Sequence, residues 1–259
     1  MPQVVSPNAK SKIDYRILLF ILVGLIAFQL YLTNLDDEML VESSVIVISL
    51  SGEIGTGFVA LLAARHYWNS EVFGRSFLFL SIAFFSVAIG EIIYNVYLFV
   101  YDIDPYPSIA DVFHFMLYPF SFLHLFLNIR FFTNNQVSFI SKVWMVSIAV
   151  VITLGYAYSA IMELLSEYPL DLYLGILFVA GAATITSVSI YGARITSKVP
   201  LGSAWFLLMI GIFLGTVGDI WYQHLELFLS YETTHIVNLF WYSSYAVIIY
   251  ALYKHTKAI

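Results

Sequence analysis

Residues 76–100, SFLFLSIAFFSVAIGEIIYNVYLFV, carry a single charged side chain, Glu91. Residues 203–225, SAWFLLMIGIFLGTVGDIWYQHL, read the same way, with Asp219 as the lone charge. A run of this length crosses a hydrocarbon core of roughly 30 Å as an α-helix. In lipid each backbone amide must find its partner inside its own segment unless strands close into a barrel, and unbroken apolar runs lack a barrel's alternation. Outward from these two stretches, comparable runs lie at 17–33, 44–64, 109–129, 143–162, 172–193 and 234–253. They predict an all-α integral membrane protein of eight transmembrane helices, one polytopic domain over residues 1–259. A composition that is 61% hydrophobic and 11% charged, with mean hydropathy +0.86, holds more apolar surface than a water-soluble domain of this size buries.

The net charge of -6 is segregated by loop. With the N-terminus inside, Lys10, Lys12, Arg16, Arg65, Arg75, Arg130, Lys142, Arg194, Lys198, Lys254 and Lys257 all fall on the cytoplasmic side. The opposite loops carry Asp36, Asp37, Glu38 and Glu42, then Asp102 and Asp104, then Glu163, Glu167 and Asp171, then Glu226 and Glu232. The positive-inside rule therefore predicts a multi-pass protein of the cell membrane with both termini cytoplasmic. The acidic loops read as a solvated rim. Met1 to Asp14 precede the first apolar run with no small-residue cleavage site, which reads as an uncleaved first span. No basic patch suits nucleic acid, and without cysteine there are no disulfides, thiolate metal sites or cysteine nucleophiles.

Sliding the chain on itself by about 128 positions matches Gly74 with Gly202, Leu80 with Leu208, Phe85 with Phe213, Gly90 with Gly218, Glu91 with Asp219, Tyr94 with Tyr222 and Asn95 with Gln223. After a shorter loop Asp111 meets His235, His114 meets Asn238 and Tyr118 meets Tyr242. The spans thus read as two four-helix repeats, about 17–132 and 143–255. An even number of spans per repeat makes the two parallel, about an axis along the membrane normal.

An ionised carboxylate near the bilayer centre costs several kcal/mol, so Glu53, Glu91 and Asp219 are expected to face the bundle interior. Glu91 shares a helix face with Tyr94, and Asp219 shares one with Tyr222. Asp111, His114 and Tyr118 form one polar stripe; His235, Asn238 and Tyr242 repeat its spacing. These ten residues sit in the outer half of the predicted spans, near Tyr97, Tyr106, Trp221 and Trp241, and are the candidate ligand-binding set. Packing between helices is the competing reading of the same side chains. Histidine and carboxylate are zinc and iron ligand types, but no pair has the spacing of a helix-borne metal motif, and no repeated spacing supports a haem between His66 and His124. No catalytic residue, metal or cofactor is assigned. Pro119 is expected to kink the fourth span.

Pro105, Pro107, Ser108, Ile109, Ala110 and Asp111, followed by Tyr118 and Pro119, resemble the multi-span membrane region at the N-terminus of bacterial diguanylate cyclases and related signalling proteins. Tyr168, Pro169, Leu170 and Asp171, the run Gly218, Asp219, Ile220, Trp221, and Gly90 with Glu91 extend that likeness over the third to eighth spans. The resemblance implies a sensory input module that passes an unidentified signal to a cytoplasmic domain. Only Lys254 to Ile259 follow Tyr253 here, so the output would lie on a partner, and Glu91 stands where the family pattern leads one to expect Asp. A weaker similarity, to the eight-span lysoplasmalogenase hydrolases, rests on the paired Gly-acid steps. It implies Glu91 and Asp219 handling water at an ether lipid, with His114 or His235 as proton carrier. A structural subunit of a larger membrane complex is the third reading. The partners expected are the lipid bilayer, a membrane-protein complex or cytoplasmic signalling protein, and a second copy in a homodimer.

Overall fold

The computed structural model describes residues 13–164, 169–197, 202–229 and 231–257. Lys10, Lys12, Glu167, Tyr168 and Lys198 lie outside them, as does most of the stretch read as preceding the first span. Among the described residues the regular structure is entirely helical: α1 (Tyr15–Thr33), α2 (Glu38–His66), α3 (Phe73–Val100), α4 (Ile109–Phe115), α5 (Leu117–Phe132), α6 (Phe139–Leu164), α7 (Pro169–Thr196), α8 (Gly202–Phe228) and α9 (Asn238–Lys257). Counting α4 and α5 as one stretch, seven of these are long and apolar enough to cross a membrane. They contain the first seven expected spans.

The eighth expected span falls on α9, which does not reach that apolarity. Its polar residues Asn238, Ser244 and His255 and its tyrosines Tyr242 and Tyr250 dilute its apolarity; they are buried, and α9 packs on α8, α2 and α1. It begins at Asn238 rather than near 234 because the preceding turn is closed by side chains. His235 Nδ1 accepts the Val237 N–H at 3.1 Å, and Asn238 Nδ2 donates to the Thr233 carbonyl at 2.7 Å.

Acidic side chains cap the helix starts. Asp14 accepts the Arg16 N–H at 3.0 Å and Asp37 that of Leu40 at 3.1 Å. Ser108 and Asp111 form a reciprocal capping box at the head of α4. The break between α4 and α5 falls at Met116, within one turn of Pro119, whose missing N–H leaves the Phe115 carbonyl without a helical donor.

Arg16 opens α1, Arg65 closes α2, Arg75 opens α3, Arg130 closes α5, Lys142 opens α6, Arg194 closes α7, and Lys254 and Lys257 close α9. These termini form one end of the bundle, the basic end. There Trp205 meets Phe77 at 5.5 Å, Phe73 at 5.4 Å, Phe132 at 5.2 Å and His255 at 4.4 Å between ring centroids. Further in, Phe77, Leu80, Leu125, Leu208 and Ile248 are fully buried. Helix α2 packs on α3 and on α9, and α7 packs on α8 and on α5. The outer helices differ, α1 lying on α9 and α6 on α7.

Trp205 is 4% exposed in this aromatic cluster, whereas Trp144 on α6 is 65% exposed. Trp205→Ala is expected to cost at least about 2 kcal/mol of stability through lost packing, and Trp144→Ala under about 0.5 kcal/mol, measured by denaturant unfolding in mild detergent.

Candidate functional site

The two Gly-acid steps work by the same device. A Cβ on Gly90 would lie 2.5 Å from His114 Cδ2 and 3.0 Å from the Ala110 carbonyl oxygen, so only glycine lets α4 lie this close to α3. At the next position Glu91 Oε1 accepts from Asn95 Nδ2 at 3.0 Å, and Oε2 stands 3.9 Å from His114 Nε2. On α8 a Cβ on Gly218 would meet Phe240 Cβ and Trp241 Nε1 at 3.0 Å each. The next residue, Asp219, takes the Trp241 indole N–H on Oδ1 at 2.9 Å and the Tyr118 hydroxyl on Oδ2 at 3.2 Å. This carboxylate therefore joins α8 to α9 and to α5.

Both acids line one cavity of about 710 Å³, walled by residues of α2 through α9. Its lining includes seven carboxyl residues, Glu53, Glu91, Asp104, Asp111, Asp171, Asp219 and Glu226, and seven tyrosines, Tyr94, Tyr106, Tyr118, Tyr156, Tyr222, Tyr231 and Tyr245. His114 and Trp241 join them; among the described residues no lysine or arginine does. The cavity reaches the end opposite the basic one, where Asp104, Tyr106, Asp171, Glu226 and Tyr231 stand at helix ends and in the connecting segments. Phe84, Ile212 and Tyr245 line its deeper part.

Glu53 sits at that depth, 3% exposed. Its Oε1 accepts the Tyr245 hydroxyl at 3.2 Å, and its Oε2 is buried with no hydrogen-bond partner. Nearer the mouth, burial and then the charges of Asp171 and Asp111 push the Tyr106 hydroxyl above its ordinary range. Burial likewise pushes Tyr231 up to about 12. Both are neutral hydrogen-bond donors at cellular pH, and Tyr231 donates to Asn238 Oδ1 at 2.8 Å.

Of the ten residues expected at the site, Glu91, Tyr94, Asp111, His114, Tyr118, Asp219, Tyr222 and Asn238 line this cavity. His235 and Tyr242 do not. His235 precedes α9 with its ring edge-on to Trp221 at 5.6 Å, and Tyr242 turns toward α1, where its ring meets Phe28 at 6.3 Å. Asp111 is partly engaged in the cap, its Oδ2 accepting the Ser108 N–H at 2.7 Å. Glu53 was visible as an intramembrane acid but had no partner in the repeat to group it with. Asp104, Asp171 and Glu226 read as solvated rim, although each lies within a turn or two of a predicted span, which is where a mouth residue would stand. The pairing of Tyr245 with Glu53 leaves no trace in spacing, since their helices meet only in the fold.

Among the described residues, no group of three or more His, Asp or Glu side chains is placed to hold a metal ion. Comparison of the chain with family models, curated proteins and solved structures finds no match.

The Gly-acid geometry gives a direct expectation. Gly90→Ala and Gly218→Ala should each lower stability by about 1–3 kcal/mol through overpacking. Gly24→Ala and Gly155→Ala, where a Cβ meets nothing within 4 Å, should be neutral or mildly stabilising. Thermal unfolding of the four variants in the same detergent compares them.

Proposed function

We propose that this chain is a membrane-embedded ligand-binding or sensory module. It takes a small molecule into the cavity between its helices and acts through a partner protein. The observation that carries this reading is the cavity of about 710 Å³ itself, lined by seven carboxyl residues and seven tyrosines, with Glu53 buried at its depth. The acids and tyrosines around it enclose open volume instead of closing on one another. The volume falls in the range of small-molecule sites, roughly 300–1,000 Å³. The likeness of Pro105 to Asp111, Tyr118 and Pro119 to the membrane input regions of signalling enzymes supports the same reading, and Asp111 and Tyr118 of that set line the cavity.

In this account the chain crosses the cell membrane eight times, α9 being the last crossing, with both termini in the cytoplasm and the cavity opening on the outer side. The segregation of Arg and Lys at one end of the helices supports that sidedness. The reciprocal packing of α2 on α9 and α7 on α5 supports two parallel four-helix repeats.

Two experiments test this. The native chain has no cysteine, so single cysteines report cleanly. Asp102→Cys and Glu232→Cys should react with a membrane-impermeant maleimide on intact cells, and Asn69→Cys and Gln136→Cys only after lysis; the reverse pattern would overturn the sidedness. For the cavity, the protein purified in lipid nanodiscs should retain a small molecule, recoverable by mass spectrometry, that a cavity-filling Val45→Trp variant of similar stability lacks. Equal retention by both would contradict the pocket, and turnover of lysolipid by the wild-type chain would reassign it as a hydrolase.

A further inference from the structure

We infer that the ligand of this cavity is an organic cation, a protonated amine or quaternary ammonium compound with a carbon body, held between carboxylates and aromatic faces. The inference rests on the ligand-binding reading above and names the chemistry of the occupant.

Charge comes first. Carboxylates line the cavity at its mouth and at its depth, while the described arginines and lysines stand at the far end of the helices or outside the cavity. Low-dielectric walls focus the resulting negative field, so an anion is repelled and a cation concentrated. No guanidinium or ammonium faces the lining to pair with a ligand's carboxylate or phosphate.

The unpartnered Glu53 Oε2 gives the second, independent pointer. It is a buried acceptor beside the deep end of the cavity that the protein leaves unsatisfied, and a positive group lodged at that depth, with or without an N–H, offsets the charge of this carboxyl. The aromatic wall gives the third. Tyr222 meets Tyr231 at 5.1 Å with an interplanar angle of 77°, and Trp241 at 5.6 Å and 59°. Rings set at steep angles make a corner whose faces attract a cation, the arrangement that recognises ammonium groups.

An inorganic ion fits poorly. A divalent metal needs several oxygen or nitrogen ligands at about 2.0–2.6 Å. The carboxylates are instead spread around a space of about 710 Å³, and among the described residues no three His, Asp or Glu converge. Acids at several depths suit an extended cation that touches more than one of them.

The test uses the full chain in lipid nanodiscs and two isosteric pairs: choline against 3,3-dimethylbutan-1-ol, and 1,4-diaminobutane against 1,4-butanediol. Succinate, MgCl2 and CaCl2 complete the set. Calorimetry and tryptophan fluorescence, to which Trp241 should contribute, are the readouts. At least one of the two cations should bind saturably and at least about tenfold more tightly than its neutral partner. Glu91→Gln and Asp219→Asn should weaken that binding about tenfold or more, Glu91→Asp should restore most of it, and the exposed Asp36→Asn should leave it unchanged. The comparison of isosteres needs only the wild-type chain, so it decides the matter even where a variant fails to fold. Neutral partners binding as well as the cations, succinate binding, or binding of the divalent ions alone would overturn the cation assignment. So would an uncharged or anionic molecule recovered with the protein, although that would leave the ligand-binding reading standing. No probe binding, together with equal retention by the Val45→Trp variant, would remove both.

Discussion

A carboxyl group cannot be left facing hydrocarbon, and much of this structure follows from where three of them are put. Glu53, Glu91 and Asp219 lie on α2, α3 and α8, within helices otherwise apolar enough to cross a membrane. Each is turned into the same cavity and each takes a hydrogen bond from a side chain, Tyr245, Asn95, or Trp241 with Tyr118. The glycines beside Glu91 and Asp219 bring the neighbouring helix into contact, and the acid then accepts a donor from, or faces, the ring that this approach delivers. Helix packing and polar satisfaction are thus one arrangement, since lipid offers neither a hydrophobic drive between helices nor water to solvate the acids.

The bundle holds a second buried polar system, and the contrast is instructive. Nearer the basic end Ser76 Oγ and His124 Nδ1 are 2.8 Å apart, and Asn128 Nδ2 donates to the same hydroxyl at 2.7 Å. Phe77, Trp205 and His255 stack around these groups. His124 is fully buried in that packing. The group is short-range, sealed and aromatic-capped, with Asn128 Oδ1 and both His255 ring nitrogens left without a partner in the packing. The acidic end has a different character: its carboxyl groups are dispersed around open volume. The chain is closed at one end and hollow at the other.

How much of this was legible in the sequence depends on which physical signal carried it. Seven spans were readable because an unbroken apolar run reports its environment directly. The α9 region was readable as a helix, and its apolarity falls short of the others' because Tyr242, Ser244, Tyr250 and His255, which are buried in the protein, interrupt its apolar run. The paired acids with their tyrosines were legible because a charge inside an apolar run is conspicuous. His235 and Tyr242 were drawn in by spacing alone; the turn before α9 and the packing of Phe28 on Tyr242 send them elsewhere. Glu53 with Tyr245, and Asp171 with Tyr106, are contacts between helices or segments far apart in the chain. Local periodicity holds no information about them.

The central claim is that the acids and tyrosines of α3 and α8 face one water-accessible chamber. Its most direct test places cysteines at Tyr94 and Tyr222, one on α3 and one on α8, in a chain with no other cysteine. Each should react with a small water-soluble maleimide from the acidic end, and the pair should be joined by a short bifunctional thiol reagent. Cysteines that stay unreactive in the folded protein, or that react singly but never cross-link, would show that the two acidic faces do not share a chamber.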